Sequence, residues 1–170
     1  IHQLMMDFDL SAKKSKGLLL RIGRQELSYG SQRLISVREG PNSRQAFDAA
    51  RVVFTREYVR ADAFYATYVN ARNQIFDERL WDGSSRLWGS YIVIPPLSRF
   101  PGLDLYYLGV RKDGTFVDEA GREQRHSVGT RIWKSNNRVS ADVEAVYQFG
   151  RLAAAHIRAW TVSMNASYRL

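Results

Sequence analysis

Residues 139–150, VSADVEAVYQFG, alternate apolar and polar side chains with one exception. Val139, Ala141, Val143, Ala145, Tyr147 and Phe149 fall on one face of an extended strand, and Ser140, Asp142, Glu144 and Gln148 on the other, with Val146 out of step. The same period of two recurs along the chain, and helical periodicity is nearly absent. It predicts nine strands, near 2–10, 18–27, 46–54, 59–69, 86–94, 103–112, 124–134, 139–149 and 157–168, separated by turns rich in Gly, Asn, Asp, Ser or Pro. These segments run to about nine to twelve residues, whereas soluble strands average about five or six. A tilted strand that crosses a bilayer needs about nine to eleven.

The spacers between them are unequal. SYGSQRLISVREGPNSRQA, NARNQIFDERLWDGSS and DGTFVDEAGRE are long; TREY and SNNR are tight; SAKKSKG, PPLSRFPG and GRLAAA are intermediate. Long and short connections broadly alternate, so the long ones gather at one end of a meander. Outer-membrane barrels carry this asymmetry, with short periplasmic turns and long outer loops. The faces agree. Trp160, Val162, Met164, Ala166 and Tyr168 oppose Ala159, Thr161, Ser163, Asn165 and Ser167; Val128, Thr130 and Ile132 oppose Ser127, Gly129 and Arg131; Leu18, Leu20 and Ile22 oppose Arg21, Gly23 and Gln25. Tyr147, Phe149, Trp160 and Tyr168 stand towards strand ends, where interfacial aromatics belong. LDLYYLGVR and LWGSYIVI are apolar on both faces, and their polar side is not assignable from the pattern. A soluble antiparallel sandwich with one wet face is the competing architecture.

Composition narrows the partners. The 170 residues carry 25 Lys+Arg against 17 Asp+Glu, a formal charge of +8, and no cysteine. The excess is mostly arginine and favours an anionic partner; without cysteine there is no disulfide framework and no thiolate metal site. Nucleic acid is a poor fit, because the basic residues are mixed with acids along every strand and loop instead of forming an aromatic-lined patch. His2, His126 and His156 have no metal-ligand spacing. No constellation supports an enzyme, and no cofactor or metal is expected. Arg21, Arg51, Arg60 and Arg131 each project from a largely apolar strand onto the face that carries Gly, Ser or Ala. A charge facing lipid near the midplane costs about 2–4 kcal/mol, so these side chains must face water or protein. Lining a lumen, they would favour anions; paired with Asp62, Asp142 and Glu144, they would hold the wall together. The two readings are compatible.

The stretch Ile22–Val52, IGRQELSYGSQRLISVREGPNSRQAFDAARV, resembles the signature of the alginate export family of outer-membrane porins, a GRQEL-YG-QRL block followed by an Arg and FDA-R. The matching residues are Gly23, Arg24, Gln25, Glu26, Leu27, Tyr29, Gly30, Gln32, Arg33, Leu34, Arg44, Phe47, Asp48, Ala49 and Arg51. LDLYYLG at 103–109, VEAVYQFG at 143–150 and IRAW at 157–160 extend the likeness over nearly the whole chain. The resemblance implies an all-β, antiparallel up-and-down transmembrane β-barrel of about eighteen strands, with an arginine-lined lumen that conducts the polyuronate alginate outward. By position it places Arg21, Arg24, Arg33, Arg44, Arg51, Arg60 and Arg131 along the path, with Asp62, Asp142 and Glu144 as counter-charges. Residues 1–170 are then a single barrel segment. About nine strands fall short of such a barrel, and bacterial single-chain barrels use even numbers. The chain also ends ASYRL, without the usual terminal aromatic. The expectation is therefore a portion of a longer chain in the cell outer membrane. Its expected partners are the lipid bilayer and an anionic polysaccharide or small anions, with a secretion complex as a further candidate. A general anion-preferring porin and a soluble β-sheet module for acidic ligands are the alternatives.

Overall fold

A computed structural model describes residues 3–11, 16–37, 44–69, 85–116 and 119–169. Nine strands form one antiparallel sheet in chain order: β1 (Leu4–Asp9), β2 (Lys16–Gln25), β3 (Phe47–Arg56), β4 (Val59–Tyr68), β5 (Ser85–Ile94), β6 (Gly102–Phe116), β7 (Glu119–Ser135), β8 (Val139–Leu152) and β9 (Ala155–Tyr168). Every neighbour is a hairpin partner, so the topology is a pure up-and-down meander. The expected strands are all present, and two expected loops are corrected. Most of DGTFVDEAGRE extends the β6–β7 hairpin, where Phe116 pairs with Glu119. In GRLAAA, Leu152 already pairs with Ala155 around a turn at 153–154. Strong cross-strand pairing carries both hairpins past the apolar zone, beyond the point where hydrophobic alternation marks a strand. At the opposite end the turn of SNNR is tight because the Asn136 side-chain oxygen accepts from the amides of Arg138 and Val139, at 2.9 and 2.7 Å. Most of NARNQIFDERLWDGSS and part of SAKKSKG lie outside the described residues.

Register settles the two ambiguous strands. Tyr91 pairs with Tyr106 and Tyr106 with Gly129, so these three share the face of Arg131. Trp88, Ile92, Leu105 and Tyr107 take the other face. The two faces differ sharply. On the outer one stand Trp160 at 78% exposure, Met164 at 69%, Val162 at 58% and Val128 at 49%, while Asp62, Asp104 and Glu144 on the inner one are at 4%, 1% and 5%. In water this arrangement would strand a large apolar surface; in a bilayer it is what a barrel wall requires.

The inner face is covered by its own chain. After β2 the described part of the long connection, 26–37, lies across the sheet. Leu27 and Ile35 pack into one cluster with Phe47, Ala49, Phe64, Ala66, Tyr91, Tyr106, Leu108 and Val146. Glycine permits the close approach at two places. Gly30 has φ +55°, and a Cβ there would strike the Tyr91 hydroxyl; a Cβ on Gly129 would strike the Tyr106 ring.

The face assignment predicts opposite outcomes at adjacent positions of β9. Val162→Arg should lower stability in a bilayer by about 2–4 kcal/mol, and Thr161→Arg by less than about 1 kcal/mol, by denaturant titration in vesicles.

Candidate functional site: the inner wall of arginines and carboxylates

Strand alternation and register bring most of the expected charged residues onto one wall, in two clusters joined by aromatic rings. In the first, Arg51 of β3 bonds Asp62 of β4 through Nη2 and, at 3.0 Å, through Nε; Arg60 reaches the other oxygen of Asp62 at 3.1 Å. One carboxylate therefore serves two guanidinium groups. Arg60 remains half-exposed, with 52% of its side chain open.

The second cluster spans β6, β7 and β8. Arg131 donates to Asp142 through Nη2 and, at 2.8 Å, through Nε, and to Asp104 at 3.1 Å. The Trp133 indole donates to the other Asp104 oxygen at 3.0 Å, and its ring lies 5.4 Å from the Arg131 guanidinium. Beside them Glu144 accepts from Ser31 at 2.5 Å, from Arg33 at 2.6 Å and from the Tyr106 hydroxyl at 2.7 Å. Ser31 and Arg33 belong to the inward segment, so this carboxylate ties the loop to β8. Arg33 also lies 3.7 Å from Asp142.

A row of rings connects the clusters. Tyr29 stacks on Phe64 at 5.3 Å and on Tyr91 at 4.9 Å, and Tyr91 stacks on Tyr106 at 5.1 Å with 4° between the planes. The Arg51 guanidinium lies 5.2 Å from the Tyr29 ring centre, and the Tyr91 hydroxyl donates to Asp104 at 3.0 Å. Burial raises the Tyr29 phenol above its ordinary value, so the loop enters this site as a neutral ring. Stacked pairs of this kind contribute about 0.5–1.5 kcal/mol each beyond area burial.

Three expected residues stand apart. Arg21 makes a bidentate pair with Asp7 of β1, both contacts at 2.7 Å, on the inner face but away from both clusters. Arg24 pairs with buried Asp48 at 2.9 Å, and by register this pair is on the side of Ile22 and Val52, opposite Arg51. Arg44 lies in the β2–β3 connection, 3.6 Å from Glu26 and largely exposed. Sequence reasoning missed Tyr29, Ser31, Tyr91, Asp104, Tyr106 and Trp133. Tyr91 and Tyr106 sat in the strands with no readable polar face. Their available signal was Gly129, a bare position in a strand where a neighbouring ring has to lie.

A one-layer sheet with an apolar outer face, long connections at one end and a charged inner face defines a transmembrane β-barrel wall of the porin class. The chain belongs to the alginate export family, whose family model matches residues 1–170. This is a transport family of outer-membrane porins, not of enzymes, and it supports polysaccharide export as the general activity. No curated protein and no solved structure shows a significant match to the chain.

Arg131 is the shared cation of the second cluster. Arg131→Met leaves buried Asp104 and part-buried Asp142 without it and should destabilise the protein by about 3 kcal/mol. Adding Asp142→Asn should restore part of that loss; equal unfolding midpoints for the single and double variants would contradict the pairing.

Proposed function

We propose that this chain forms part of an outer-membrane channel that passively conducts an anionic, alginate-like polyuronate past the inner wall. The observation that carries the reading is the sharing of Asp62 by Arg51 and Arg60, which leaves a half-exposed guanidinium in surplus on the lumen side. An arginine holds five N–H donors in a fixed fork, and a single carboxylate occupies only part of them. A uronate carboxylate passing the wall meets donors already arranged for its own geometry. It exchanges with protein carboxylates from one site to the next instead of being held at any one. Such multiple weak sites let a polymer enter and also leave. Arg21, Arg33, Arg51, Arg60 and Arg131 are the proposed contacts along the path, with Asp62, Asp142 and Glu144 as exchangeable counter-charges. Arg44 takes part only towards the long-loop end, and Arg24, turned by register to the opposite face and paired there with Asp48, is left out of the path.

The inward segment 26–37 narrows the same path, because it lies across the wall and is anchored at Glu144 by Ser31 and Arg33. The reading also requires the outer edges of β1 and β9 to be paired by further strands, since unpaired backbone groups are not tolerated in lipid.

The test is a planar-bilayer recording on the intact barrel under a salt gradient, followed by added oligouronate. Anion-selective current blocked by oligouronate supports the proposal, and Asp62→Asn, which frees Arg51 and Arg60, should then tighten the block by about tenfold. Current indifferent to oligouronate would reduce the reading to a general anion-preferring porin. No current from correctly inserted protein would sink it.

A further inference from the structure

The inner-wall arginines are matched by carboxylates, but across β5–β9 the outer face carries a second set in which most arginines have no carboxylate within 4.0 Å among the described residues. Two neighbouring register rows mark where the outer face turns from apolar to charged. The lower row reads Tyr65, Trp88, Gly109, His126, Phe149 and Arg158 across β4–β9. Its rings interlock: His126 stacks on Phe149 at 5.2 Å and meets the Tyr107 hydroxyl at 2.7 Å, and Trp88 packs edge-on to His126 at 6.1 Å. This is an interfacial aromatic belt. The next row towards the long-loop end reads Thr67, Arg86, Arg111, Gln124, Arg151 and His156, on the same outward face.

Asp48, which continues this row into β3, is taken up by Arg24, and Asp113, paired with Arg122 one register step higher, is the acidic residue nearest Arg111. It lies 2.7 Å from Arg122 and 3.6 Å from Arg111. Among the described residues no carboxylate stands within 4.0 Å of Arg86, Arg151 or Arg158, and the Nε of Arg111 has no hydrogen-bond partner. Neighbouring strands lie about 4.8 Å apart, so the guanidinium groups of Arg86, Arg111, Arg151 and Arg158 line a shelf roughly 20 Å long. Below the shelf, Tyr147 and Trp160 turn 49% and 78% of their surface outward.

We propose that this outward shelf binds the phosphorylated headgroups of glycolipids in the outer leaflet, whose acyl chains run down the apolar face beneath it. The inference rests on the outer-membrane channel reading, which puts the long-loop end in that leaflet. Charge complementarity selects the occupant. Guanidinium forks favour phosphate oxygens, and basic residues at a membrane boundary recruit anionic lipid. The contiguous aromatic belt and apolar face select a lipid over a free ion, because only a lipid satisfies both rows together. The shelf is on the opposite side of the sheet from the lumen wall and makes no contact with the proposed polymer path.

The test uses the intact barrel protein and bis-phosphorylated, hexa-acylated lipid A as probe, with retention read by native mass spectrometry. The expected result is stoichiometric retention by the unmodified protein, weakened by about tenfold or more in the R111Q/R151Q/R158Q variant. That variant should keep the heat-modifiable migration of a folded barrel and an unchanged conductance. The matching triple Arg→Lys variant, which keeps the charge, should retain most of the binding. Undiminished retention by the glutamine variant overturns the proposal. So does equal binding of dephosphorylated lipid A, or displacement of the lipid by equimolar inorganic phosphate. A protein that inserts but conducts nothing refutes the channel reading while leaving lipid retention to be scored separately.

Discussion

Hydrocarbon offers no partner to a guanidinium or a carboxylate, and this constraint orders the whole sheet. With the outer face given over to Val128, Val162, Met164 and Trp160, every charge within the apolar band must turn inward. There it leaves bulk water and meets a counter-charge, which is why Asp62, Asp104 and Glu144 are among the least exposed residues. An unpaired charge at such depth destabilises by several kcal/mol. The Arg51–Asp62–Arg60 and Asp104–Arg131–Asp142 sets follow from that requirement: each is a odd-numbered cluster in which one central group serves two partners. The first set is left with one positive charge in surplus and the second with one negative charge, so only the first presents a spare cation to the inner side.

The inward segment depends on the same wall. Ser31 and Arg33 reach Glu144 only because β8 presents that carboxylate inward, and Tyr29 enters a slot between Phe64 and Tyr91 that the register of β4 with β5 creates. The block GRQELSYGSQRL, residues 23–34, thus falls on the end of β2 and on the segment that crosses the inner face. Its tyrosine is the stacking ring, its glycine allows contact with Tyr91, and its second arginine is the anchor to Glu144. The most specific stretch of the sequence encodes how this loop is seated.

Two electrostatic surfaces result, separated by the thickness of one sheet. Inside, guanidinium groups are held in place by protein carboxylates. Outside, at and beyond the aromatic belt, Arg86, Arg151 and Arg158 have no carboxylate within 4.0 Å among the described residues. The same residue type stands on both faces, and the difference between them is whether a carboxylate sits within reach.

By itself the sequence determined the all-β meander, the number of strands, and which face of β2, β7, β8 and β9 is polar. Alternation is a local property, and a membrane sharpens it by penalising every polar residue on the wrong side. It also placed Arg51, Arg60 and Asp62, and Arg131, Asp142 and Glu144, on a common face, because register in a meander of hairpins follows from the turns. Only the tertiary structure decided what those residues touch. Asp104, Tyr91 and Tyr106 lie in strands apolar on both sides, where the pattern carries no sign. Arg33 finds Glu144 more than a hundred residues away along the chain. Arg24, three residues beyond Arg21, turns to the opposite face and pairs there with Asp48. A loop's path across a wall is set by the shape of the surface it enters, and that surface is assembled from β3, β4, β5, β6 and β8 at once.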